Sequence, residues 1–192
     1  MDKVLRRAIG YVWLEAAVFG SVAGIGYLSV SAKRLWLVNK IGVCYLGEIP
    51  ETKWDYWIGI PLCVIVFGLL VKTLWINKLT KPLARLLLIV LVLEVGVIAT
   101  PFYLVGGLHL VHNSIATTMF VVEWLTATWL TFRKRFDNWT GLLWFVQSAA
   151  SILAGVTFID LAWQMYLGQV LTQISFIGLL LRHMYIERRS YR

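Results

Sequence analysis

Residues 83–104 have the sequence LARLLLIVLVLEVGVIATPFYL, in which Arg85 and Glu94 are the charged residues. Residues 111–132, VHNSIATTMFVVEWLTATWLTF, form a second apolar run with Glu123 as its one acidic residue. Each run has about 20 residues, which is the length that a helix needs to cross a hydrocarbon layer roughly 30 Å thick. A short uncharged connection joins the two runs. We therefore expect two membrane-spanning helices that lie side by side, each with a carboxylate near its middle.

The composition of the whole chain is that of a membrane protein. Of its 192 residues, 59% are hydrophobic and 15% are charged, and the mean hydropathy is +0.75. Such values exclude an ordinary soluble domain. The apolar runs predict six spans: Ala8–Val30, Tyr56–Ile76, Leu83–Leu104, Val111–Phe132, Trp139–Leu161 and Trp163–Leu181. We expect an all-α polytopic bundle that occupies residues 1–192 as a single transmembrane domain, with residues 31–55 as its long external loop.

The net charge of +8 indicates orientation and not nucleic-acid binding. Basic residues concentrate in cytoplasmic loops of membrane proteins, and here they cluster at alternate segment ends. We therefore expect both termini in the cytoplasm, an integral protein of the cytoplasmic (plasma) membrane, and membrane lipids as its partners, with attraction to anionic headgroups. The clusters are Lys3, Arg6 and Arg7; Lys78, Lys81 and Arg85; Arg133, Lys134 and Arg135; and Arg182, Arg188, Arg189 and Arg192.

The external stretch 31–55 is unusually apolar for a loop and also carries four basic residues. Two interpretations stay open. It lies in the outer interface as an amphipathic segment, or it folds back as a lid over a ligand cavity. The topology places Cys44 and Cys63 on the outer side, where they either form a disulfide or remain two unpaired thiols.

Five polar side chains share one depth in the predicted bundle. At about 1.5 Å of rise per residue, Glu94 and Glu123 lie roughly 16 and 14 Å from the cytoplasmic ends of their helices. Three more lie about 10 to 12 Å in, namely Glu15, Gln147 and Gln173. An acidic side chain at the bilayer centre costs on the order of 3 kcal/mol. The cost falls if the group is protonated, so we expect at least one of Glu94 and Glu123 to carry a proton near neutral pH.

This belt of acids and amides has three interpretations. It is a self-satisfied hydrogen-bonded cluster; it binds a cation, an amine or a transported proton; or it supplies a general acid to a lipid-soluble substrate. Trp124 adjoins Glu123 and either lines an aromatic-walled cavity or packs in the core.

A second polar layer is predicted near the outer ends of the helices. His109 and His112 are three residues apart and therefore neighbours on a helix. They share a metal with Asp160, or they face headgroups; two histidines alone do not make a metal site, so we expect no metal and no cofactor. Small residues also recur on helix faces, with Ala16, Gly20 and Gly24 on the first span and Ala150 and Ala154 on the fifth, as in close helix packing.

The stretch from Ala99 to Tyr185 combines three features: the Gly/Pro turn Pro101–Gly107, His109 or His112 with Ala116, and the Arg-rich turn Arg133–Trp139. In these features it resembles the FRAG/DRAM-like group of small six-helix membrane proteins and their bacterial relatives. Ile41-Gly42 and Pro50 are similar to the external loop of that group, without the acidic residue usual before the glycine. The resemblance implies six spans, with lipid-linked or membrane-regulatory roles in some relatives.

Three functions follow from these patterns. The first is binding, and in one version translocation, of a lipid or a small hydrophobic or cationic ligand at Glu15, Glu94, Glu123, Trp124, Gln147 and Gln173. The second is intramembrane acid–base catalysis with candidate residues Glu94, Glu123, His109, His112 and Asp160. The third is a structural role as an oligomer or as a subunit of a membrane complex. The sequence favours the first.

Overall fold

A computed structural model of the chain describes residues 2–78, 80–100, 108–133, 137–158 and 164–190, with side chains at all of these positions except 108–109 and 155–158. Within those ranges all regular secondary structure is helical. Seven α-helices and one 3-10 helix follow one another along the chain: α1 (Asp2–Ser29), α2 (Ala32–Ile41), the 3-10 helix (Val43–Gly47), α3 (Lys53–Trp75), α4 (Lys81–Ala99), α5 (Leu108–Arg133), α6 (Asn138–Phe158) and α7 (Met165–Ser190).

Five of these helices are long and apolar enough to cross a membrane, as judged by length and composition among the described residues: Asp2–Ser29, Lys53–Trp75, Lys81–Ala99, Leu110–Arg133 and Met165–Ser190. Large apolar side chains also cover the outside of the bundle; for example, Ile65 is 60% exposed and Val92 is 62% exposed. Soluble proteins rarely expose such extended apolar surface. Helix lengths and surface together indicate a membrane protein.

The long helices form a ring in which α1 packs on α3, α3 on α4, α4 on α5, α5 on α6, α6 on α7 and α7 on α1. Helix α7 also contacts α5 and α2. The α6–α7 contact is close because Gly168 lies directly against the backbone of α6: a Cβ at this position would be 2.9 Å from the carbonyl oxygen of Ala150. Ala150 and Ala154 therefore pack as the small-residue pattern predicts. Gly20 and Gly24 do not, because nothing lies within 4 Å of a Cβ built on either glycine.

Both ends of the chain meet at one end of the bundle. Arg188 near the end of α7 donates a 2.6 Å hydrogen bond to Asp2 at the start of α1. At the same end, Arg182 is paired with Asp137, and Asp137 also accepts a 2.8 Å hydrogen bond from the backbone N–H of Thr140 in the first turn of α6. Asp137 therefore caps α6, since it satisfies one of the free N–H groups at a helix start.

The predicted external loop contains two helices. Helix α2 ends at Ile41 and is followed by Gly42, whose φ of +100° favours glycine because a side chain would be strained there. The 3-10 helix follows directly. We call residues 32–47, which comprise both helices, the lid. Its Val38 and Leu46 are fully buried, and it contacts α1, α3 and α7. The stretch therefore folds back onto the bundle, as one of the two interpretations predicts.

The core consists of two apolar clusters separated along the helix axes. One lies toward the end that holds the chain termini and includes Leu5, Leu74, Leu87 and Met184. The other lies toward the lid and includes Val22, Val38, Leu46 and Tyr166. On α1, residues 5–12 belong to the first cluster and residues 22–23 to the second. Glu15 falls between them, so the predicted polar belt lies at the boundary between the two clusters.

Candidate functional site

A cavity lies between the two apolar clusters. We call it the upper cavity; it is bounded by α1, α3, α4, α5, α7 and the lid, and about 100 Å³ of it can be reached by the centre of a water-sized sphere. One water needs roughly 10–15 Å³ on this measure, so the upper cavity has room for a small organic group. Its apolar walls include Phe19, Ile60, Val97 and Phe120; its polar lining residues are Glu15, Cys44, Tyr56, Cys63, Glu94, Gln169 and Gln173.

A smaller cavity lies next to the upper cavity, on the side of the terminal end of the bundle. This lower cavity measures about 10 Å³ in the same terms and is lined by Glu15, Glu94, Glu123 and Gln173, with apolar residues of α1, α3 and α7. Glu15, Glu94 and Gln173 line both cavities, whereas Glu123 lines the lower one. The structure therefore brings four of the five predicted belt residues around two neighbouring cavities.

The carboxylates that line the two cavities have hydrogen-bond partners for only some of their oxygen atoms. Gln173 donates a 2.7 Å hydrogen bond from Nε2 to Oε1 of Glu123, and the Cys63 thiol donates to the carboxylate of Glu15. The Oε2 atoms of Glu15, Glu94 and Glu123 are buried and have no hydrogen-bond partner in the described part of the chain. Glu94 also interacts electrostatically with both Glu15 and Glu123. Three acidic groups are thus close enough to influence one another.

No lysine or arginine is found among the described residues that line either cavity. Moving a carboxylate into an apolar interior without a cation or enough hydrogen bonds costs several kcal/mol. A protonated carboxyl group avoids most of that cost. The cluster therefore has two chemically reasonable states, one that holds protons and one that holds a positively charged group.

Two predicted binding residues lie elsewhere. Gln147 on α6 is completely buried but lines neither cavity, and both its amide atoms lack partners within the described ranges. Trp124 also faces α6, where its Nε1 donates a 3.0 Å hydrogen bond to Ser148, and it lines neither cavity. Both residues lie at the depth of the other belt residues, but their side chains do not reach the cavities.

The predicted outer polar layer is described in part. His112 is 3% exposed, and its Nδ1 contacts the carbonyl oxygen of Thr100 at the end of α4. It therefore faces the protein interior. The side chain of His109 and all of Asp160 lie outside the described residues. In the ranges that the structure covers, no three His, Cys, Asp or Glu residues are grouped to hold a metal ion.

Sequence reasoning did not identify Tyr56, Cys63 or Gln169 as lining residues. A signal existed for Gln169, because it precedes Gln173 by four residues and so lies on the same helix face.

Cys44 and Cys63 are both free thiols, which confirms the unpaired alternative. Both line the upper cavity. The Tyr56 hydroxyl donates a hydrogen bond to the sulfur of Cys44, and this contact joins α3 to the lid.

Comparison with known proteins does not assign the chain to a group. It matches no protein-family model, no curated protein and no solved structure.

Proposed function

We propose that this protein crosses the membrane six times, with both termini in the cytoplasm, and binds a small amphipathic cation in the upper cavity. The pairing of Asp2 with Arg188 supports an even number of crossings, since it joins the start of the first helix to the end of the last. Helix α6 is the natural sixth span: it has 21 residues, contains no Asp, Glu, Lys or Arg, and exposes Phe145 by 65%.

The orientation follows from charge. Arg182, Arg188 and the basic residues around Lys3 belong to one end of the bundle, and positively charged ends face the cytoplasm. The lid then covers the outer mouth of the upper cavity. Three points stay predictions: the location in the plasma membrane, the contacts with lipids, and the resemblance to FRAG/DRAM-like proteins.

The single observation that carries the ligand class is the pair of unpartnered oxygens. Oε2 of Glu15 and Oε2 of Glu94 are buried beside a cavity whose other walls are largely apolar. A cationic or hydrogen-bond-donating group on the ligand would complete both carboxylates, and an apolar body would fill the remaining space. The cavity is too small to enclose a whole lipid, so a small cation fits it better than a phospholipid does.

The alternative functions have weaker support. Acid–base catalysis usually combines a carboxyl group with a second catalytic group such as histidine, and the described lining residues of the two cavities include no histidine. A purely structural role would leave the unpartnered Oε2 atoms of Glu15 and Glu94 without a function, although each of them raises the free-energy cost of folding.

The test uses two probes of one shape, benzyltrimethylammonium and its uncharged carbon isostere neopentylbenzene. We expect the cation to raise the Tm of the detergent-solubilised protein in a saturable way, and the isostere to have a much smaller effect. The double variant Glu15→Gln/Glu94→Gln should lose the response to the cation. Glu51→Gln makes the same chemical change on an exposed carboxylate that pairs with Arg34, and it should keep the response.

Equal responses to both probes, or a full response in the double variant, would contradict the proposed site. Native mass spectrometry of the gently extracted protein adds a second measurement. A co-purified cationic molecule that the double variant loses would support the proposal. A tightly held protein subunit, together with no response to the cation, would instead favour the structural role.

A further inference from the structure

The upper cavity differs from an ordinary cation site because its acidic residues have no permanent counter-ion. The titratable groups that line the two cavities with Glu15 and Glu94 are Cys63 and Tyr56 from α3, Cys44 from the lid and Glu123 from α5. Glu48 follows the lid and interacts with Cys44 and Tyr56. Helix α7 contributes the uncharged Gln169 and Gln173. All of these described groups are neutral or acidic.

Electroneutrality then constrains what the cavity can hold. A cluster of carboxylates in a low-dielectric site without a cation is stable only when it is protonated, because each uncompensated charge has a large desolvation cost. A monovalent cation that enters the cavity stabilises one ionised carboxylate beside it. The proton of that carboxylate must leave.

We propose that protons and the cation compete for the same pair of carboxylates, Glu15 and Glu94, so that each monovalent cation bound in the upper cavity displaces one proton. This inference rests on the proposed function. It makes the protein a proton-linked cation binder, in which a rise in local pH loads the cavity and a fall in pH empties it.

Geometry assigns the exchange to Glu15 and Glu94, not to Glu123. The first two line the upper cavity, where the cation has room, whereas Glu123 lines the lower cavity, which has space for one water at most. Glu123 is completely buried, and Gln173 holds its Oε1 at 2.7 Å. A cation in the upper cavity therefore lies beside Glu15 and Glu94 and not beside Glu123.

The experiment measures binding of benzyltrimethylammonium to the detergent-solubilised full chain by calorimetry at several pH values. The charge of this quaternary probe does not depend on pH, so any pH dependence belongs to the protein. We expect Kd to fall about tenfold for each unit by which the pH rises, over the range in which one proton is released per cation bound. We also expect about one proton released per cation, measured with a pH dye in weakly buffered solution.

Two variants locate the exchanging proton. Glu123→Gln should still bind the probe and still release about one proton, and Glu15→Gln/Glu94→Gln should do neither. Binding with the same affinity across the pH range, without proton release, would overturn the exchange but leave the proposed function in place. Loss of proton release in Glu123→Gln with binding intact would overturn the assignment to the upper pair. No binding at any pH would instead overturn the proposed function.

Discussion

Gln169 on α7 accepts a 2.7 Å hydrogen bond at its side-chain oxygen from the backbone N–H of Val43 in the lid. The two residues are 126 positions apart in sequence. Gly42 makes this approach possible, because a Cβ there would lie 2.8 Å from Cδ of Gln169. The bond fixes the lid over the upper cavity at the point where Val43 and Cys44 line it.

Replacing Gln169 by Leu should loosen the lid. Cys44 reports on this opening, because its thiol is partly buried and burial raises its pKa, which keeps it slow to react. A hydrogen bond contributes about 1 kcal/mol, so we expect maleimide to label Cys44 roughly fivefold faster in Gln169→Leu. The measurement uses a Cys63→Ser background, with Cys44→Ser as the unlabelled control. Equal labelling rates would show that the bond does not hold the lid.

The Asp137–Arg182 pair should give the protein an acid-sensitive contact. The hydrogen bond from Arg182, assisted by Thr140, lowers the pKa of Asp137 from 3.8 to about 2. Because the folded-state pKa is the lower one, this contribution to stability is complete above pH 4 and is lost as the pH falls from about 4 toward 2. We expect Tm to fall over that window.

The variants Asp137→Asn and Arg182→Gln should both reduce this fall in Tm. Asp137 is 32% exposed and Arg182 is 36% exposed, so solvent screening makes the effect modest. Thermal unfolding followed by circular dichroism between pH 2 and 5 provides the measurement. If Tm falls as steeply with acid in Asp137→Asn as in the unchanged protein, other carboxylates are responsible for the fall.

Gly168→Ala should destabilise the contact between α6 and α7. The new Cβ would lie 2.8 Å from the backbone nitrogen of Ala154, and backbone atoms cannot move aside as the end of a flexible side chain can. Overpacking of this kind costs about 1–3 kcal/mol. Gly20→Ala is the matched control, because nothing lies within 4 Å of its Cβ. Thermal unfolding of the two variants should separate them, and equal Tm values would contradict the close approach.

Gln147→Met should stabilise the protein. The side chain is completely buried, and neither amide atom finds a partner in the structure as described. An unsatisfied buried polar group costs about 1–3 kcal/mol, and Met keeps a similar volume without that cost. We expect a higher Tm and unchanged binding of benzyltrimethylammonium, since Gln147 lines neither cavity. A lower Tm would show that the amide is satisfied in the native protein.

The sequence predicted the depth at which the belt residues lie. It predicted only in part the direction in which their side chains point. Counting residues places Glu15, Glu94, Glu123 and Gln173 at one level because helical rise is nearly constant. The same count includes Gln147, which points elsewhere. A helix turns by about 100° per residue, so a side chain's direction depends on how its helix is rotated against its neighbours. Packing decides that rotation.

The lid illustrates a second limit. Its apolar residues and its Trp and Lys residues predict an interfacial segment as readily as a folded lid. Contacts from distant parts of the chain decided the outcome: Gln169 reaches Val43, and the hydroxyl of Tyr27 donates a 3.2 Å hydrogen bond to Asn39. Such pairings are not visible in a local pattern.

The amino-acid sequence by itself determined that this is a helical membrane protein with acidic residues inside its apolar helices, because hydrocarbon thickness, helical rise and burial cost act on each segment separately. Tertiary structure alone decided that Glu15 and Glu94 line one cavity, that Glu123 lies beside it under Gln173, and that the lid covers it. These relations depend on the rotation and packing of several helices at once, which no single segment encodes.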